Sequence, residues 1–242
     1  MSIFKSSIMK KIILLLVFSL AFASCSDDDS NDTTTPPDDN TLSTAPEAKV
    51  EHDGSNYGVY KGIFVGSTGT VYVNIFNNNS ISAKMVIDGT VHNFTTSESV
   101  SSGQDISGLT FTSGNSSFDF NVLSDGENPL IDNLNISGHT NADVQIFKEY
   151  SFAHIKCYLG TFSGDSAGVF NLATTSDGYA LGLALPNDDT FAIYMDGSIT
   201  GTSIIGTFDG GAFSGTINNN TISGTWQNSV PESGTWTGTR KL

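Results

Sequence analysis

The chain has 242 residues, with 10 basic side chains against 25 acidic ones and a formal net charge of −15. That balance excludes nucleic acid as a partner, because such binding draws on Lys and Arg at phosphates, and it disfavours docking on anionic lipid. Arg240 is the only arginine, so no guanidinium clamp for phosphate or carboxylate can be assembled, and no cofactor is implied.

The first 24 residues have the order of a secretory signal. Lys10 and Lys11 form a basic start, Ile12 to Leu20 an apolar stretch, and Ala21, Ala23 and Ser24 a small-residue end. The apolar stretch is too short to span a bilayer as a helix. The segment from Met9 onward would make a complete signal by itself. It ends in Phe22-Ala23-Ser24-Cys25, which resembles a bacterial lipobox, although Phe22 departs from the usual aliphatic residue. The resemblance implies cleavage ahead of Cys25 and lipidation of its sulfur. Several acyl chains are needed for a firm hold, since one chain anchors only marginally.

Ser26, Asp27, Asp28 and Asp29 follow directly. A serine and three aspartates after the lipidated cysteine resemble the export signal of surface lipoproteins in the Bacteroidetes phylum. This implies an outer-membrane protein, lipid-anchored and facing the cell exterior. Residues 25–54 carry nine acidic side chains and almost nothing apolar. Such a segment buries too little to offset its ordering entropy, so it is expected to be a disordered tether. About 30 flexible residues span roughly 30 Å.

From residue 55 the period is two. Ile81, Ala83, Met85 and Ile87 alternate with Ser82, Lys84, Val86 and Asp88, and Tyr179, Leu181, Leu183 and Leu185 with smaller residues. Asp-Gly and Asn-rich turn signals separate such runs, at Asp88-Gly89, Asp125-Gly126, Asp177-Gly178 and Asn218-Asn219-Asn220 among others. These dipeptides supply the positive φ that tight hairpins need. The pattern predicts strands over 57–65, 69–77, 80–88, 90–97, 106–113, 116–123, 131–138 and 142–149. A second set is predicted over 155–162, 167–174, 178–185, 189–196, 202–208, 211–217, 220–226 and 233–240.

The chain also repeats itself. Tyr60, Gly62, Phe64, Gly66 and Val71 recur 98 residues later as Tyr158, Gly160, Phe162, Gly164 and Val169, and Ile136-Ser137-Gly138 matches Ile222-Ser223-Gly224. The expected fold is therefore all-β, an antiparallel meander in two tandem barrel-like or sandwich-like repeats of about eight strands, over 55–150 and 151–242. One sheet pair shared between the halves is the alternative. A membrane-spanning barrel is disfavoured, because Ser, Thr, Asn and Gly occupy both faces of the runs. The whole resembles the surface lipoproteins of Bacteroidetes, a likeness that implies location rather than activity.

Few residues are candidates for chemistry. Gly164-Asp165-Ser166-Ala167-Gly168 fits the G-x-S-x-G nucleophile elbow, which requires a strand-to-helix turn and partner residues. Here the pattern joins two β-runs, and the last histidine in the chain is His154. Asp165-Ser166-Ala167 also resembles the acceptor motif for O-glycosylation in Bacteroidetes, which would make Ser166 the modified residue. Trp226 and Trp236 are the candidate ligand-binding residues. Trp226 shares its face with Ile222, which points to a core. Trp236 is flanked in register by Gly234 and Gly238, which would leave a ring face open for stacking on a sugar. Cys157 lies in an alternating apolar run and reads as a small buried hydrophobe. The histidines show no zinc-ligand spacing. Asp125, Glu127 and Asn128, or Asn187, Asp188 and Asp189, place oxygens on turns without EF-hand order. The expected function is a non-catalytic surface module that binds a glycan or protein or serves adhesion. The alternatives are an accessory lipoprotein of an outer-membrane assembly and, less favoured, a surface hydrolase. Cys25→Ala is expected to abolish membrane fractionation by removing the acylated sulfur. Detergent-phase partitioning checks this, and unchanged partitioning would refute the anchor.

Overall fold

The computed structural model describes residues 42–242, so the leader, Cys25 and the run Ser26 to Asp29 lie outside the described residues. The first eight strands are β1 Gly58–Val65, β2 Thr68–Ile75, β3 Ile81–Ile87, β4 Thr90–Phe94, β5 Ile106–Ser113, β6 Ser116–Val122, β7 Leu130–Asn135 and β8 Asp143–Glu149. The next eight are β9 Ile155–Gly164, β10 Gly168–Thr175, β11 Tyr179–Pro186, β12 Ile193–Thr200, β13 Ser203–Phe208, β14 Gly211–Asn218, β15 Thr221–Asn228 and β16 Ser233–Arg240. All ladders are antiparallel. The alternating pattern and the turn dipeptides account for this. Asp88 and Gly89, between β3 and β4, both take positive φ, at 50° and 78°, which is what a two-residue hairpin matched to strand twist demands.

The second set, β9 to β16, is a closed eight-stranded barrel, with β16 paired back onto β9. Its inward positions alternate large and very small residues. A Cβ at Gly206 would fall within the ring of Phe213, and one at Gly215 or Gly224 within the indole of Trp236. Most of the aromatics thus lie against glycines, where no Cβ stands in the way, which lets seven rings share a narrow lumen. The outward positions of β14 to β16 are mostly Ser and Thr; Ser214 stands opposite Thr225, which stands opposite Thr235.

The first set splits into a five-stranded sheet, in the order β4-β3-β2-β1-β8, and a three-stranded sheet, β5-β6-β7. A bridge between Thr95 and Thr112 links β4 to β5. Both sheets contribute to one core, including Tyr60, Phe64, Phe94, Phe111, Phe118 and Phe120.

Two local expectations need correction. Residues 189–196 were expected as a strand, yet β12 starts at Ile193. The Asp189 carboxylate accepts the N–H groups of Thr190 (2.7 Å) and Phe191 (3.1 Å), and a local turn of that kind withdraws donors from the ladder. Ile136-Ser137-Gly138 lies beyond β7, closed by an Ile136–His139 bridge with Gly138 at φ 86°, whereas Ile222-Ser223-Gly224 lies inside β15. The 98-residue correspondence therefore joins the β1–β2 and β9–β10 hairpins, but the later match does not join equivalent structures.

The first strand ties the molecule together. Every residue of β1 is buried. Tyr60 and Phe64 enter the first core, while Ile63 and Val65 pack on Ile155, Cys157, Ala173 and Leu183 of the barrel wall. Asn171 of β10 donates its side-chain amide to the carbonyl of Phe64. Lys61 projects into the same seam, fully buried, and pairs with Glu149 at 2.9 Å and Glu47 at 2.6 Å. Glu149 in turn accepts the N–H of Ile155 (2.9 Å) and of Glu47 (2.7 Å). All described residues fall in one compact unit.

Residues 43–53, expected to continue the tether, instead form a strap on this body. Ala48 is buried. Asn77 donates to the carbonyl of Glu47 (3.0 Å) and accepts the N–H of Lys49 (3.1 Å). Arg240 donates to the carbonyl of Ser43 (2.7 Å), and His154 shares a hydrogen bond with the Ser43 hydroxyl. The anchoring partners lie up to 197 positions away, so the local composition could not show them. Lys61→Met would strand the buried Glu149 carboxylate without its counter-charge. The expected cost is about 3–5 kcal/mol, checked by urea unfolding of the full chain against wild type.

Candidate ligand cavity at the mouth of the barrel

Because the barrel runs up and down, its loops sort to two ends. The links 164–168, 186–193, 208–211 and 228–233 share one end, here called the mouth. The β8–β9 junction, the C-terminus and the strap residue Ser43 gather at the other. A cavity of about 230 Å³ opens at the mouth. Its walls are Phe162, Phe170, Phe208, Phe213, Trp226 and Trp236, with Ala184, Pro186, Ile193 and Met195 between them, and its polar members are Ser166, Asn228 and Glu232.

The rings form a braced edge-to-face array. Phe162 meets Trp226 with centroids 6.1 Å apart and planes at 87°. Phe170 meets Trp236 at 5.5 Å and 75°, and Phe213 meets it at 6.3 Å and 76°. Such geometry sets the positive ring edge against the negative ring face. Each indole N–H is satisfied by a backbone carbonyl, Trp226 on Ser163 (3.2 Å) and Trp236 on Thr225 (3.1 Å). This fixes both rings in place. The expectation of an uncovered Trp236 face on the barrel surface is overturned. Its flanking glycines lie inside the lumen, and the residue is 5% exposed. The core expectation for Trp226 agrees with its 9% exposure. Both tryptophans nonetheless border the cavity, from within.

At the rim, Asn228 donates to the Glu232 carboxylate (2.6 Å) and accepts the Glu232 N–H (3.2 Å). Asp165 accepts the N–H of Ser233 (2.8 Å). Ser166 sits half-buried beside them in the β9–β10 turn. That turn joins two antiparallel strands, unlike a nucleophile elbow. His154 lies at the far end of the ten-residue β9, about 30 Å away along the strand, and cannot serve Ser166 as a base.

The other candidates separate in space. Burial pushes the Cys157 thiol up to about 12, so the nucleophilic thiolate is suppressed. Burial, with the charges of Lys61, Arg240 and Lys156, pushes His154 down to about 4, which keeps it neutral beside Arg240. Lys148 reaches into the Asp125–Glu127 region, its ammonium 5.8 Å from the ring centroids of Tyr60 and Tyr150. Burial lowers it to about 8 against the opposing pull of Asp53, Glu127 and Asp125. Among the described residues no three His, Cys, Asp or Glu side chains come together as a metal site. Asn187, Asp188 and Asp189 stand on the β11–β12 link at the mouth.

Sequence reasoning missed Phe162, Phe170, Phe208, Phe213, Met195 and Glu232 as cavity residues. The available signal was the placement of a large inward ring opposite an inward glycine on the next strand, as in Gly206 opposite Phe213. No protein-family model matches the chain, and no curated protein matches it in sequence. Gly206→Ala should force a methyl group against Phe213 and lower stability by about 1–3 kcal/mol. Equilibrium urea unfolding measures it, and an unchanged midpoint would refute the ring-on-glycine packing.

Proposed function

We propose that this chain is a cell-surface lipoprotein that binds a ligand without chemically altering it, and that the barrel cavity is the binding site. The observation that carries the reading is an aromatic-walled cavity opening at one end of a closed barrel. Small eight-stranded barrels have lumens that either fill with side chains or hold one small ligand. Apolar concavities with few polar groups are the usual form of binding sites. The strap joins at the opposite end, which leaves the mouth free of it. A glycan or protein ligand would present one compact group to the cavity.

The remaining assignments rest on the chain's own signals. Cys25 is the lipidated residue, Ser26 to Asp29 direct export to the outer face of the outer membrane, and Ser166 is a glycosylation site at the cavity rim. The folded part comprises two related halves of eight strands, a reading supported by the matched β1–β2 and β9–β10 hairpins. A second function, as an accessory subunit of an outer-membrane assembly, is favoured by Tyr179 and Ile205. They flank Ser198 on one outer face of the barrel wall, each 59% exposed. Replacing Asp27, Asp28 and Asp29 with Ala is expected to leave the protein anchored but hidden from protease added to whole cells. Equal shaving of mutant and wild type would refute the export role. For binding, the full chain is screened against glycan and small-molecule arrays, followed by the emission of its two tryptophans. A screen without any saturable response would overturn the cavity as a binding site.

A further inference from the structure

The barrel is electrically polar along its axis, and we infer that its cavity selects an organic ammonium group. Every link at the mouth carries acid and none carries a base. Asp165 lies on the β9–β10 link, Asp188 and Asp189 on the β11–β12 link, Asp209 on the β13–β14 link and Glu232 on the β15–β16 link. The basic residues of this half, Lys156, Arg240 and Lys241, are all at the closed end, whose hairpin turns hold the single carboxylate Asp177. A ring of like charges at the edge of a low-dielectric cleft focuses the field and concentrates counter-ions there. Among the described residues, the only ionisable side chain that lines the cavity itself is Glu232.

Beneath that rim the walls are ring faces and edges. An ammonium held among Trp and Phe rings gains from their quadrupoles, by an amount that grows when the site excludes water. A carboxylate would meet the same faces and the same acidic rim unfavourably, and among the described residues no basic group lines the cavity to offset this. The size sets the rest of the class. A cavity of about 150 Å³ accepts benzene, so the 230 Å³ here takes one ring, or an aliphatic group of similar bulk, together with its ammonium head. The ligand is thus a compact hydrophobic amine, free or as the end of a larger molecule. This inference rests on the cavity being the binding site.

Three probes share one ring and differ in charge: phenethylamine, 2-phenylethanol and phenylacetate. The chain has two tryptophans, and both border the cavity, so their emission reports occupancy directly. With the full chain in nonionic detergent, phenethylamine should shift the emission saturably and bind roughly tenfold tighter than phenylacetate. Raising the salt from 0.1 M to 1 M shortens the screening length from about 10 Å to 3 Å and should weaken the amine selectively. Glu232→Gln should narrow the gap between amine and acid, and Ala184→Leu, which fills the cavity, should abolish binding with the thermal melt retained. Equal binding of all three probes, or preference for phenylacetate, would overturn the ammonium assignment while leaving the cavity as a site. No response to any of them, with a ligand found for the cavity by the array screen, would also overturn it. No response to probes or array would remove the binding site itself.

Discussion

The side chain of Lys61 is fully buried. Its ammonium lies between β1 and the start of β9, and two carboxylates from distant parts of the chain, Glu149 and Glu47, meet it. An unpaired charge in that position would cost several kcal/mol, so the three segments must arrive together or the seam does not close. Glu149 also accepts two backbone N–H groups, one from the first residue of the barrel and one from the strap. One ionic cluster thus sets where the second half begins, where the strap lies, and how the outer face of β1 meets the barrel wall. The apolar contact of Ile63 and Val65 with Ile155, Cys157, Ala173 and Leu183 supplies burial around it but little direction.

The barrel's interior follows from a different constraint. Eight strands enclose little room, and seven aromatic side chains compete for it. Glycines at inward positions resolve the conflict, because a ring can lie against backbone where no Cβ stands. The same glycines permit close strand approach, and Gly215 and Gly224 face each other across β14 and β15 beneath one indole. The rings brace each other and the indole donors are tied to carbonyls, so the unfilled volume at the mouth is bounded by rigid walls. A cavity of this kind is the remainder left by packing large residues over small ones, and the acidic residues around it come from the turns above it.

The sixteen strands were legible in the residues because a half-buried antiparallel strand must alternate and its hairpins must carry residues that tolerate positive φ. The register of Asp88-Gly89 and the run from Ile81 to Ile87 show both. The four-residue delay of β12 was not legible, since Asp189 forms a local turn with donors that the alternating pattern had assigned to a ladder. Trp226 was readable as core from its partner Ile222. The burial of Trp236 was not legible, because glycines beside a tryptophan look like open space in a sequence, and only the next strand reveals whether another side chain fills it.

The sequence by itself determined the all-β class, the strand count, the acidic balance and the absence of an arginine clamp, because these depend on residue type and local period. Only the tertiary structure decided the rest. Closure of β16 on β9 converts four separate turns into one acidic mouth. Strand pairing sets which inward ring lies over which glycine. Residues 43–53 become a strap through Lys61, Asn77, His154 and Arg240, partners that composition near residue 50 cannot announce. Each of these outcomes depends on contacts between positions far apart in the chain, and the energy of such contacts exists only once the fold has brought them together.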